Sequence, residues 1–102
     1  MTEKLDLTKA YNELNQTIEK GDHNQSLSIC KKILAQYPLE KEAISSKIIS
    51  LINLGKSEVP VSFIKSNKYE NDNHLEYAYA LYDSKKFKES IDIINSRQKK
   101  KQ

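Results

Sequence analysis

The stretch KEAISSKIISLINL, residues 41–54, decides how the rest of the chain is read. Ala43, Ile44, Ile48, Ile49, Leu51, Ile52 and Leu54 recur at helical spacing, yet they cover more than half of the helix circumference. A helix packed on one side only carries a narrower apolar stripe, so this one is predicted to lie between neighbours. Gly55 closes it, and helix pairs of similar pattern stand before and after it.

Working outward, Gly21 and Gly55 lie 34 residues apart. Each ends an apolar periodic segment and is followed by a polar residue, Asp22 or Ser57, of a kind that caps helices. A period of 34 residues built from two helices and a turn is that of the tetratricopeptide repeat. In the first unit, helix A runs from Leu7 to Lys20 and helix B from Asp22 to Tyr37, stopped by Pro38. Ser26 takes the small-residue position, where the two helices approach closely.

In the second unit the central stretch is helix A, and Ser57 to about Ser66 is helix B. Pro60 falls in that helix's first turn, where its missing N–H has no partner to lose. The polar segment NKYENDN, residues 67–73, favours turns. The third unit opens at Asn73, with Glu76 three residues on as capping partner. Its helix A carries Leu75, Tyr77, Ala78, Tyr79, Leu81 and Tyr82; SKKF makes the turn; Phe87, Ile91, Ile93 and Ile94 lie along helix B. Lys85 occupies the place of Gly21 and Gly55, only 30 residues after Gly55, so the second helix B is predicted to be truncated. The expected fold is all-α: a tetratricopeptide-type α-α superhelix of about three units, 7–38, 41–67 and 73–95, in one domain spanning 1–96.

A chain of 102 residues suits one domain that buries about two-thirds of its unfolded surface. No run approaches the roughly 18 apolar residues that cross a bilayer, and MTEKLDLTKA has no apolar signal-like core, so no membrane contact and a cytoplasmic location are expected. The net charge of +3 is local. Four of the 17 basic residues, Arg97, Lys99, Lys100 and Lys101, lie in RQKKKQ, leaving 13 against 14 acidic residues elsewhere. Residues 97–102 read as a basic, disordered tail, and RNA contact through those four side chains is the alternative reading.

Catalysis needs convergent groups. His23 and His74 have no second His or Cys at the i+3 or i+4 spacing that places two ligands on one helix face. Cys30 is the only cysteine and reads as a small core residue, and two glycines in the whole chain make no phosphate loop. No enzyme activity, cofactor or metal is expected. What remains is a groove lined by the A helices: Tyr11, Asn15 and Ile18; Ser45, Ile49 and Ile52; Leu75, Tyr79 and Tyr82. Tyrosines bring large, fairly rigid contact area with a polar tip, which suits capture of a protein segment. Co-chaperones of this repeat class grip acidic tails with asparagine, lysine and arginine. Asn15 matches that pattern, but Tyr11 stands where a lysine is wanted, and residues 73–83 contain no Lys or Arg. The last helix pair is expected to expose its apolar side unless a partner, a second copy or further chain covers it.

AISSKIISLINLGKSE, the short helix B ending in Phe63-Ile64, and HLEYAYALYDSKKFKESIDII together resemble the N-terminal repeats of the seventy-two-kilodalton subunit family of the signal recognition particle. The likeness runs from about Asp22 to Asn95 and rests on the order of these landmarks. It implies a repeat scaffold that holds a segment of the sixty-eight-kilodalton subunit, in the particle that delivers nascent secretory chains to the endoplasmic reticulum. RNA binding in that family belongs to a distinct basic region that this sequence does not match.

Overall fold

The structure, a computed structural model, describes residues 4–56 and 58–100, with side chains through residue 96. The described residues form six α-helices and no strand: α1 (Leu7–Glu19), α2 (His23–Gln36), α3 (Lys41–Asn53), α4 (Val59–Ser66), α5 (His74–Asp83) and α6 (Phe87–Lys100). The all-α expectation holds.

The helix ends follow from identifiable local chemistry. The carboxylates of Asp6 and Asp22 cap α1 and α2 by accepting from the N–H groups of Lys9 and Gln25. Pro60 sits in the first turn of α4, where it removes no helical hydrogen bond. Ser57, the predicted cap of that helix, lies outside the described residues. Asn73 does occupy the N-cap position of α5, but without a side-chain capping bond, so the predicted reciprocal box with Glu76 is not formed.

Four helix C-termini turn through the left-handed region, at Gly21 (φ +72°), Gly55 (φ +75°), Lys68 (φ +60°) and Lys85 (φ +67°). After α1, α4 and α5 the turn closes the same way. The N–H two residues past the cap returns to the third-last helical carbonyl, as in Asp22 to Thr17, Tyr69 to Ile64 and Lys86 to Leu81. Lys85 therefore does by conformation what Gly21 does by residue type.

The chain divides into two compact units, residues 1–54 and 55–102, where the sequence reading has one domain. The division falls at the Gly55 turn, inside the second predicted repeat unit. In the first unit α2 packs against both α1 and α3, around Ala10, Leu14, Ile29, Cys30, Ile33 and Ala43. The segment before α1 is tied down as well: the Leu5 N–H donates to Gln36 Oε1 (2.7 Å), and the Tyr37 hydroxyl donates to the Leu5 carbonyl (3.3 Å). In the second unit α5 packs against α4 and α6, with Val61, Ile64, Tyr77, Ala78, Ala80 and Leu81 buried.

Burial recurs at two positions that the sequence reading treats as equivalent. Counting from Gly21, Gly55 and Lys85, the seventh residue back is Leu14, Ile48 or Ala78, and the fifth residue on is Ser26, Pro60 or Ser90; all six are buried. The small residues at the second position let helices approach. Ser26 meets Thr17 of α1 at 2.7 Å between hydroxyls, and Ser90 donates to the Ala78 carbonyl of α5 at 2.8 Å.

Candidate protein-binding faces

The predicted groove residues fall into two sets, one on each compact unit. On the first unit, α1 presents Asn15 and Ile18 to solvent with Tyr11 half-buried, while α3 presents Ile49 with Ser45 half-buried. Ile52 is a correction: it is only 8% exposed and belongs to the core. Asn15 and Ser45 share a cleft of about 330 Å³ with Leu14, Lys41, Glu42 and Ser46.

Tyr11 is committed within the unit. Its hydroxyl donates to Glu40 Oε1 at 2.7 Å. Burial first, then this bond and the charges of Glu40 and Glu42, push its pKa up, so the phenol stays a neutral donor across ordinary pH. Among the described residues Lys41 is the one cation lining the cleft, and Glu42 lines it too. An acidic peptide there meets as much repulsion as attraction.

The second unit is different in character. Leu75, Tyr79 and Tyr82 stand along one face of α5 and, with Ala78, Ser90 and Ile94, line a groove of about 250 Å³ between α5 and α6. Tyr79 and Tyr82 are 61% and 63% exposed. Tyr82 meets Phe87 edge-on, with ring centroids 5.0 Å apart, which fixes one end of the groove.

Sequence reasoning missed the far wall. Phe87, Ile91 and Ile94 are all exposed on α6, at spacings of four and three residues that put them on one stripe. The signal was present in the sequence as that spacing, but the groove had been assigned to the A helices alone.

Cys30 is fully buried, and burial raises its thiol to about 11, against a partly opposing pull from Lys47. Lys47 is itself pushed down, by burial and then by the like charge of Lys31. His23 opens α2 and His74 opens α5; among the described residues no three His, Cys, Asp or Glu gather in a metal-binding cluster. No helix among them is long and apolar enough to cross a membrane. The backbone of Arg97, Lys99 and Lys100 lies in the last turn of α6, where the sequence predicts a disordered tail, and Lys101 is outside the described residues.

Over 96 residues, 94% of its length, the chain is 24% identical to signal recognition particle subunit SRP72 of Dictyostelium discoideum. Over 95 residues, 92% of the chain, it is 29% identical to SRP72 of Schistosoma mansoni. The chain spans 14% and 13% of the lengths of these two relatives. No family model and no solved structure matches it.

Proposed function

We propose, for a chain that is an SRP72-like region along nearly its whole length, that it is a non-enzymatic protein-binding module of the cytoplasmic machinery that targets secretory proteins to the endoplasmic reticulum. Its helix pairs act as a tetratricopeptide-type array. The partner is a protein segment within the signal recognition particle, and the resemblance makes the sixty-eight-kilodalton subunit the first candidate.

The observation that carries the binding role is the α5–α6 face, where the exposed side chains of Leu75, Tyr79, Tyr82 and Ile94 line one groove and Phe87 stands against Tyr82. Scattered apolar residues are normal on a surface, but a contiguous patch rimmed by polar groups marks a docking site. Both walls are helical, so little ordering free energy is lost by this side on binding. Capture of an acidic tail fits less well, because neither face offers a set of unopposed cations.

The test is affinity capture from cytosol with the immobilised chain. Recovery of other particle subunits supports this reading. Recovery of chaperones through acidic termini overturns it. Repeating the capture with residues 97–102 removed, at two salt concentrations, separates protein contact from phosphate binding, which falls steeply with salt.

A further inference from the structure

A further cleft of the first unit, of about 430 Å³, lies between α1 and α2. Lys4, Lys9 and Lys32 line it over a floor of Leu5, Ala10 and Ile29, the last two buried. One wall is fixed within the unit, because the Leu5 backbone is tied to Gln36 through its N–H and to Tyr37 through its carbonyl. Among the described residues, none of the three lysines makes an ion pair. Asp6 and Glu13 line the cleft as well, but an oxygen of Asp6 is engaged in capping α1.

The cations continue across α2. Lys31 and Lys32 are consecutive and so point about 100° apart. Lys32 lines the cleft toward α1, while Lys31 stands near enough to Lys47 of α3 for their like charges to be felt. Burial and then that repulsion pull the Lys47 pKa down. The two helices are poor in the opposite charge: α2 has no Asp or Glu, and α3 has none after Glu42.

We propose that this side of α2 binds an acidic segment of another protein, with an aliphatic side chain of that segment in the α1–α2 cleft and its carboxylates against Lys9, Lys32 and Lys31. The site is separate from the α5–α6 face and does not depend on the role proposed for that face.

Charge and shape select this occupant. Carboxylates spaced along a peptide pair with the lysines and offset the mutual repulsion of Lys31 and Lys47. The apolar floor gives the segment an anchor that a bare anion cannot use. A nucleic acid fits less well. The cleft has no aromatic or arginine side chain on which a base could stack, and Asp6 and Glu13 repel a uniformly charged phosphate backbone. A peptide can place uncharged residues opposite those two carboxylates.

Fluorescence anisotropy with the whole chain tests this, the probe being a short labelled peptide of Glu and Asp around one central Leu. The expected result is saturable binding with Kd below about 1 mM, weakened several-fold as salt rises from about 50 to about 300 mM. Lys9→Glu with Lys32→Glu should weaken it by about 10-fold; both lysines are exposed, so the circular-dichroism melt should hold. Lys9→Gln with Lys32→Gln, a milder change, acts in the same direction, and so does replacing the peptide's Leu by Gly. No saturation by about 1 mM, binding indifferent to the lysine variants or to the Leu, or tighter binding of a single-stranded RNA of similar length overturns the proposal. Tyr79→Ala with Tyr82→Ala should leave the peptide bound as before. A loss there would move the peptide to the α5–α6 face, which overturns this inference and leaves the proposed function standing. Peptide binding at the lysines by a chain that captures no particle subunit does the reverse.

Discussion

Lys68 and Lys85 hold left-handed backbone with side chains that disfavour it. Their conformation is imposed by the turn, since the following N–H must reach back to Ile64 or Leu81. Replacing either lysine by glycine removes that strain, offset in part by the greater freedom of glycine in the unfolded chain, and is expected to stabilise the protein by about 0.5–1 kcal/mol in urea unfolding. The reverse change, Gly21→Ala, meets no atom within 4 Å, so its expected cost of roughly 1 kcal/mol is conformational alone. Lys85 was legible from its place in the register, whereas Lys68 follows α4, whose equivalent α2 ends at Tyr37 without a left-handed residue, and so carried no such signal.

Cys30 belongs to the same scale. A fully buried thiol raised to about 11 is expected to resist iodoacetamide at pH 8 in the folded chain and to react once the chain is unfolded. The sign of its pH effect follows from the same shift. The folded value lies above the ordinary 9.0, so unfolding gains from ionisation as pH climbs. The stability contribution is complete below about pH 9 and declines as pH rises toward 11, and Cys30→Ala is expected to show a shallower decline over that window.

At the scale of elements, the helices were largely readable from apolar spacing and the placement of Pro60; of the caps Asp22 was readable, whereas the Asn73–Glu76 box is not formed and the Asp6 cap was not foreseen. Coverage was not. Ile18, Ile52 and Tyr82 are equivalent by register, yet Ile52 is buried and the other two are exposed, because periodicity fixes the direction of a side chain and not what lies over it. The same gap hid the α6 wall. Helix approach, by contrast, was readable at Ser26, and Ser90 repeats it with a 2.8 Å bond to the Ala78 carbonyl. Ser90→Ala is expected to cost about 1 kcal/mol, and Ser90→Leu a further 1–3 kcal/mol from overpacking, both readable as shifts in the urea midpoint.

For the whole molecule, the resemblance carried by residues 22–95 agrees with the similarity to SRP72, which covers more than nine-tenths of the chain. The division into two compact units was not readable, since the repeat register treats every helix pair alike. It falls where the pattern is weakest, beside α4, whose 8 residues span about 12 Å against about 21 Å for the 14 residues of α2. The proposed docking role concentrates on the second unit, and its central claim is that Tyr79 and Tyr82 grip a protein partner. Isothermal titration of the purified sixty-eight-kilodalton subunit into the chain and into its Tyr79→Ala, Tyr82→Ala double variant tests this most directly. Both tyrosines are largely exposed, so the melting curve should move only by the loss of the Tyr82–Phe87 edge contact, and affinity should fall by at least 10-fold, equivalent to about 1.4 kcal/mol. Equal affinity in a folded double variant would contradict the account.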